Sequence, residues 1–87
     1  MTFTKDPNAV LDYTIDWTRW FAGDQIATSA WLVPTGLTKI ADSKTPSSAT
    51  VWLSGGTAGQ SYTVTNRITT TGGRTEDRSF TIRVEER

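Results

Sequence analysis

Side chains that could do chemistry are few in this chain and lie far apart in the sequence. There is no histidine and no cysteine, so the commonest general base, the thiolate nucleophile and the usual soft metal ligands are missing. The serines and threonines therefore have no partner base, and nucleophilic catalysis has no support. Carboxylates such as Asp12 and Asp16 do not form the closely spaced acidic loop that binds calcium. We predict no catalytic residue, no cofactor and no metal site, and hence no enzyme.

A glycine-rich stretch, Gly55-Gly56-Thr57-Ala58-Gly59, could suggest a phosphate-binding loop. It lacks the lysine and the following helix that such a loop needs. The glycines instead separate two stretches of alternating apolar and polar residues, which indicates a tight corner between strands. Tyr62 follows the corner directly and is similar to the tyrosine corner of immunoglobulin-like sandwiches. We predict that Gly55, Gly56, Gly59 and Tyr62 form a structural corner, in which Tyr62 is buried and its hydroxyl donates to a carbonyl near residues 57–59.

Tryptophan is the residue type best able to contact a partner here. Trp17 is in register with an inward-facing row, so we place it in the core. Trp52 falls on the face opposite Val51 and Leu53 and should therefore be exposed. A large exposed aromatic side chain is typical of a protein interface or of a stacking platform for a sugar, although some have neither role. The predicted interaction surface comprises Trp52, Trp31, Trp20 and Phe21.

Bulk composition excludes several classes of partner. The chain has 87 residues, enough for one domain, and equal numbers of basic and acidic residues at 9 each. Zero formal charge argues against binding to nucleic acid or to an anionic membrane surface. The N-terminus has no apolar stretch of signal-peptide length, so the protein is expected to be made in the cytoplasm and to stay there unless another assembly carries it away.

Alternation of apolar and polar residues predicts an all-β chain. We divide it into a flexible N-terminal arm over residues 1–8 and a single β-sandwich domain over residues 9–87. Short strands and glycine- or proline-containing turns favour an immunoglobulin-like antiparallel β-sandwich of about six to seven short strands. The predicted strands are 10–17, 25–33, 37–40, 49–54, 62–68 and 78–85, with 42–48 as a polar loop. The predicted core consists of Leu11, Tyr13, Ile15, Val51, Leu53, Val64, Ile68, Phe80, Ile82 and Val84.

Two local features refine this strand pattern. Both rows of the second strand are partly apolar, and a bulge after Ile26 would turn Trp31 and Val33 inward. The last two strands should form a hairpin around Gly72-Gly73. Because directly opposed residues share a face, an odd-numbered loop is needed to put apolar residues together. We predict Val64 opposite Ile82 and Tyr62 opposite Val84.

Residues 51–84, VWLSGGTAGQSYTVTNRITTTGGRTEDRSFTIRV, resemble short structural proteins of tailed bacteriophages and prophages, encoded among head and tail morphogenesis genes. The recognisable pieces are WLSGG, Gly-x-x-Tyr-x-Val and Thr-Asn-Arg-Ile, and the N-terminal pattern from Leu11 to Ile26 is similar to the same group. The resemblance implies a virion protein with an immunoglobulin-like sandwich. It leaves open head or tail, and free phage or prophage.

The leading functional hypothesis is a non-enzymatic head or tail protein of a virion that acts through contacts with other phage structural proteins. One alternative is a module that binds a carbohydrate or cell-surface glycan with exposed tryptophans. Another is an intracellular regulator encoded by a prophage. Self-association into a homo-oligomer is left open.

Overall fold

Seven strands and one short 3₁₀ turn make up the part of the chain that the computed structural model describes, residues 2–20 and 23–86, with nothing stated of the Trp20 side chain. The strands are β1 (Thr2–Lys5), β2 (Leu11–Asp16), β3 (Ile26–Leu32), β4 (Leu37–Lys44), β5 (Ser48–Gly55), β6 (Ser61–Thr70) and β7 (Thr75–Val84). The 3₁₀ turn is Thr18–Trp20.

The strands form a four-stranded sheet in the order β1-β7-β6-β3 and a three-stranded sheet in the order β2-β5-β4. All paired neighbours are antiparallel except β1 and β7, which are parallel. The chain changes sheet four times: between β1 and β2, between β2 and β3, between β3 and β4, and between β5 and β6. Inward-facing residues of both sheets share one core, so the predicted all-β sandwich is confirmed.

The core follows the predicted alternation closely. Every predicted core residue except Leu11 is buried, and Trp17 is fully buried. Leu11 was predicted wrongly, since its side chain is 39% exposed. It pairs with Leu53 but is the first residue of β2, which is an edge strand, so little of the sandwich covers it.

The N-terminal segment differs from the expected arm, because Thr2–Lys5 is a strand paired with β7. Phe3 lies opposite Ile82 and its ring contacts the rings of Tyr13 and Phe80, with centroids 5.1 and 5.4 Å away. Lys5 is also buried. Its ammonium group donates to the Gly55 carbonyl at 2.7 Å and to the carbonyl of Asp6 at 2.9 Å.

Burial lowers the pKa of Lys5, an effect that the nearby Asp6 carboxylate partly offsets. The buried lysine ties the end of β1 to the end of β5, since its acceptor at Gly55 belongs to the other sheet. A lysine in a polar N-terminal sequence is expected in solvent, which is why the sequence pattern missed this strand.

β4 is longer than predicted. It runs to Lys44, with an irregularity between Lys39 and Ala41, and β5 begins at Ser48, so the expected polar loop over 42–48 is reduced to residues 45–47. Apart from Leu37 its residues are exposed, and the strand lies at the edge of its sheet. Its polar sequence reflects exposure on both faces rather than a loop.

The β6–β7 hairpin has the predicted odd-numbered loop, formed by residues 71–73 between Thr70 and Arg74. Val64 lies opposite Phe80 and Tyr62 opposite Ile82, so the inward parity was right and the specific partners were wrong by two residues. Asp24, before β3, helps to hold this loop, because its carboxylate accepts from the Thr71 hydroxyl at 2.7 Å and from Gly72 N–H at 2.9 Å.

The predicted corner between β5 and β6 is formed by glycines with positive φ: 82° at Gly55, 101° at Gly56 and 88° at Gly59. At Gly56 a side chain would also clash, since a Cβ would lie 2.6 Å from Cγ2 of Val84. Tyr62 is half-buried and packs against the core. Its hydroxyl accepts the Thr57 N–H at 3.0 Å, so the predicted location was right but the predicted direction of the hydrogen bond was wrong.

A buried polar network joins the two sheets at Asn66. The Trp17 indole Nε1–H donates to the Asn66 side-chain oxygen at 3.0 Å. The Asn66 amide donates in turn to the Ser29 hydroxyl at 2.9 Å and to the Ala30 carbonyl at 3.0 Å. The network therefore connects the chain after β2 with β6 and β3, and it satisfies the largest fully buried side chain.

Replacing Asn66 with alanine should destabilise the fold by about 2 to 4 kcal/mol, because a buried indole N–H loses its acceptor and a cavity opens. Chemical unfolding followed by tryptophan fluorescence measures this loss. Asn8→Ala, at an exposed turn, is the matched control and should change stability little. Equal stability of the two variants would contradict the role given to Asn66.

Removal of the hydroxyl group is expected to have different effects on stability at the two tyrosines. Tyr62→Phe should cost about 1 kcal/mol, because the Thr57 N–H loses its acceptor. Tyr13→Phe should be neutral or stabilising, because the buried Tyr13 hydroxyl has no hydrogen-bond partner among the described residues. Urea unfolding of both variants tests the pair. No measurable loss for Tyr62→Phe would refute the corner assignment, and a clear loss for Tyr13→Phe would contradict the view of its hydroxyl as unpaired.

The Asp24 contacts predict an acid-sensitive contribution to stability. Hydrogen bonds from the hydroxyls of Thr70 and Thr71 hold the pKa of Asp24 well below its usual range. The folded state thus retains the charge to lower pH than the unfolded state. The stabilisation is complete above the unfolded pKa of about 4 and disappears as pH falls through the folded value.

Asp24→Asn should therefore lower the thermal unfolding midpoint at pH 7, and the difference from wild type should shrink as pH falls below about 4. Thermal melts monitored by circular dichroism across this range make the comparison. Glu86→Gln removes the same charge from the exposed C-terminal region and is the control. A difference for Asp24→Asn that does not depend on pH would contradict the assignment.

Candidate interaction surface

Trp52 lies on β5, the central strand of the three-stranded sheet. Its flanking residues Val51 and Leu53 are fully buried, whereas Trp52 is 41% exposed, as the alternation predicted. It lies opposite Asp12 on β2 and opposite Ala41 on β4. Opposed residues share a face, so Trp52 is flanked by a carboxylate on one side and a methyl group on the other.

The outer face of this sheet, here called the Trp52 face, is otherwise polar. The Thr14 and Thr50 hydroxyls are hydrogen-bonded across β2 and β5 at 2.8 Å. The register assigns to this face Asp12, Thr14, Asp16, Thr38, Ala41, Ser43, Ser48, Thr50, Trp52 and Ser54. Its charged members are both acidic, Asp12 and Asp16, and Thr18 hydrogen bonds lower the pKa of Asp16. The Trp52 face therefore consists of one aromatic side chain surrounded by uncharged and acidic residues.

Two other exposed apolar residues lie near this face along the chain. Ile40 is 57% exposed and falls within the β4 irregularity, next to Ala41. Val10 is 53% exposed and immediately precedes β2.

The structure does not bring the four predicted interaction residues together. Trp31 belongs to β3 in the other sheet, where it is half-buried and packs against Phe80 with ring centroids 6.1 Å apart. The predicted bulge is present between Ile26 and Thr28, and Trp31 and Val33 do pack against the core. Phe21 and the Trp20 side chain lie outside the described residues.

The outer face of the four-stranded sheet has a different chemistry. It is rich in threonine and serine, with hydroxyl pairs such as Thr65 with Ser79 at 2.7 Å. Its central charges neutralise each other, since Arg67 donates twice to the Asp77 carboxylate at 2.8 and 3.0 Å. That pairing raises the pKa of Arg67 and lowers the pKa of Asp77. An aromatic centre like Trp52 does not occur on the described part of this face.

A surface depression of about 300 Å³ lies beside Trp17, lined also by Arg19, Glu76, Asp77 and Arg78. Arg78 lies over the Trp17 ring, 5.8 Å from its centroid, and donates to the Asp16 carbonyl at 3.1 Å. Arg78 thus covers the buried indole, and a cation above an aromatic ring is itself a favourable contact.

The described residues contain no group of histidine, cysteine or carboxylate side chains arranged to hold a metal. They also contain no helix long and apolar enough to cross a membrane. Among the residues whose side chains are described, Trp52 is the exposed large aromatic one.

Comparison with curated proteins found no match. A family model described as "Podophage GP4 fiber-tail adaptor protein gp77" matches residues 5–83, from the last residue of β1 almost to the end of β7. This match includes both sheets, the glycine corner and the Trp52 face, and it agrees with the expected phage structural protein. The chain belongs to the podophage fiber-tail adaptor family gp77.

Proposed function

We propose that this protein is a non-enzymatic adaptor of a phage tail, which attaches to another structural protein of the virion through the Trp52 face. Membership of the adaptor family supports a virion component that acts through protein contacts. The observation that carries the choice of surface is Trp52, a large aromatic residue left 41% exposed on a central strand.

The physical gain from covering Trp52 is large for a single residue. An indole exposed to this extent leaves on the order of 100 Å² to be buried, which corresponds to about 2 kcal/mol or more. Aromatic residues near the centre of an interface contribute most of its binding energy, while a polar rim excludes water. The threonines and serines around Trp52 suit such a rim.

The charges of the Trp52 face indicate the chemistry of the partner. Asp12 and Asp16 are its charged residues, so a complementary surface would have an apolar pocket for Trp52 bordered by lysine or arginine. The threonine-rich outer face of the other sheet has no exposed aromatic side chain among its described residues, and its Asp77 carboxylate is already paired with Arg67. The adaptor would therefore bind with one sheet and leave the other available.

The strand order supports an immunoglobulin-like description of the sandwich as part of this proposal. In immunoglobulin domains strands B, E and D form one sheet and strands G, F and C the other. Numbered along the chain, β2-β5-β4 and β7-β6-β3 correspond to these two sets. Tyr62 near the start of β6, bonded to upstream backbone, matches the expected position of a tyrosine corner.

A glycan-binding role has no comparable support. A sugar platform needs aromatic side chains arranged together on one face. Of the described tryptophan side chains, Trp17 is in the core, Trp31 packs inward on the four-stranded sheet, and Trp52 is on the outside of the other sheet.

The proposed role also includes a place of synthesis. The protein would be made in the cytoplasm of the host bacterium and then incorporated into the phage particle.

Replacing Trp52 with alanine should reduce incorporation of the protein into phage particles by about tenfold or more, because the partner loses its aromatic anchor. Phage lacking the gene is complemented with wild-type or variant protein, and purified particles are quantified by mass spectrometry. The melting temperature of Trp52→Ala should stay near that of wild type, since its side chain is not part of the core.

Arg83→Ala is the control, because it truncates a large exposed side chain on the other sheet. It should be incorporated like wild type. Normal incorporation of a folded Trp52→Ala protein would reject the Trp52 face as the attachment surface. Absence of wild-type protein from purified particles would reject the adaptor role itself.

A further inference from the structure

β3 differs from the other strands that lie at sheet edges. Edge strands expose unpaired backbone groups and are usually protected by charges, irregularities or short length. β1 has four residues, and β2 carries Asp12 and Asp16. β4 carries Lys39, Asp42 and Lys44 and is interrupted after Lys39. Of the described edges, β3 alone has no charged residue.

The free edge of β3 is regular as well as uncharged. Residues 25–38 contain no charged side chain, and Pro34 comes only after the strand ends. The bulge lies at the start of β3, so Thr28–Leu32 pairs with β6 in unbroken register. Alternate backbone groups of these five residues point away from β6 and have the spacing that another strand requires.

We propose that two copies of this chain associate by antiparallel pairing of their β3 strands, which joins their four-stranded sheets into one continuous sheet. The pairing is isologous, with the two-fold axis at Ala30. Ala30 then faces Ala30 of the second copy, Thr28 faces Leu32, and Ser29 faces Trp31.

A second copy fits this edge because the pairing satisfies both faces without an electrostatic cost. On the outer face, Leu32 is 44% exposed and is covered by the methyl group of Thr28 from the other copy. On the inner face, Trp31 is half-buried and gains a small neighbour, Ser29. The nearest charge on β6 is Arg67, opposite Ala30, and Asp77 already neutralises it.

The arrangement would also leave the proposed attachment surface free. Trp52 lies on the three-stranded sheet, which takes no part in the β3 contact. A dimer would thus present two Trp52 faces, and binding of both to an assembled particle is stronger than binding of either one. The β3 contact itself does not require the adaptor function to be correct.

Charge substitutions at Ala30 test the pairing and its register. In sedimentation equilibrium, the average mass of the purified wild-type protein should rise from 9.6 kDa towards twice that value as the protein concentration increases. Concentrations up to about 1 mM are needed because contacts between short strands are small and weak. Ala30 is exposed, so Ala30→Lys and Ala30→Glu should both fold. Each should weaken the dimer about fivefold or more, because like charges are placed directly opposite.

An equimolar mixture of Ala30→Lys and Ala30→Glu should restore association, because lysine then faces glutamate across the two-fold axis. Ser43→Lys adds the same charge to the other long edge strand, β4, and should associate like wild type. A strictly monomeric wild-type protein at about 1 mM, or a mixture that stays as weak as its components, would overturn the proposal. Incorporation of the wild-type protein into particles would be unaffected by that outcome, so failure of the dimer is distinct from failure of the adaptor role.

Discussion

Burial of Trp17 is the constraint on which the rest of this sandwich depends. Its indole fills the space between the sheets, and its N–H must find an acceptor there because water is excluded. Asn66 supplies that acceptor, and its own amide is satisfied by Ser29 and Ala30. The Asn66 side chain, which lies in the middle of β6, thereby fixes the segment after β2 and the edge strand β3 relative to each other.

The opposite end of the sandwich is held by backbone geometry and one buried cation. Gly56 approaches Val84 too closely for any side chain, and its N–H donates to the carbonyl of Gly36 at 2.9 Å. Lys5 reaches from β1 to the Gly55 carbonyl, where β5 ends. Because both sheets are tied at this corner, β5 is held in a fixed register and Trp52 is presented from a rigid strand.

The two outer faces divide the surface by chemistry. The three-stranded sheet has an aromatic centre with acidic neighbours, whereas the described face of the four-stranded sheet is dominated by hydroxyl groups and a neutralised ion pair. This asymmetry suits an adaptor, which must bind in a defined orientation. The uncharged β3 edge adds a third surface, perpendicular to both faces, whose backbone groups suit a strand rather than a side-chain pocket.

The sequence alone determined the features that depend on local periodicity: the strands β2, β5, β6 and β7, nearly all of the core, the odd-numbered hairpin loop and the outward position of Trp52. Each follows because successive side chains of a strand point to opposite faces, which is a property of the strand itself.

The tertiary structure decided the features that depend on distant residues. Only the packed structure shows that Lys5 is buried in a strand, that β4 runs to Lys44 although it is exposed beyond Leu37, and that Leu11 is left uncovered. It likewise assigns the Tyr62 hydroxyl as an acceptor and separates Trp31 from Trp52. These outcomes are set by which other segment covers a residue or supplies its hydrogen-bond partner, and alternation along one strand contains no information about that segment.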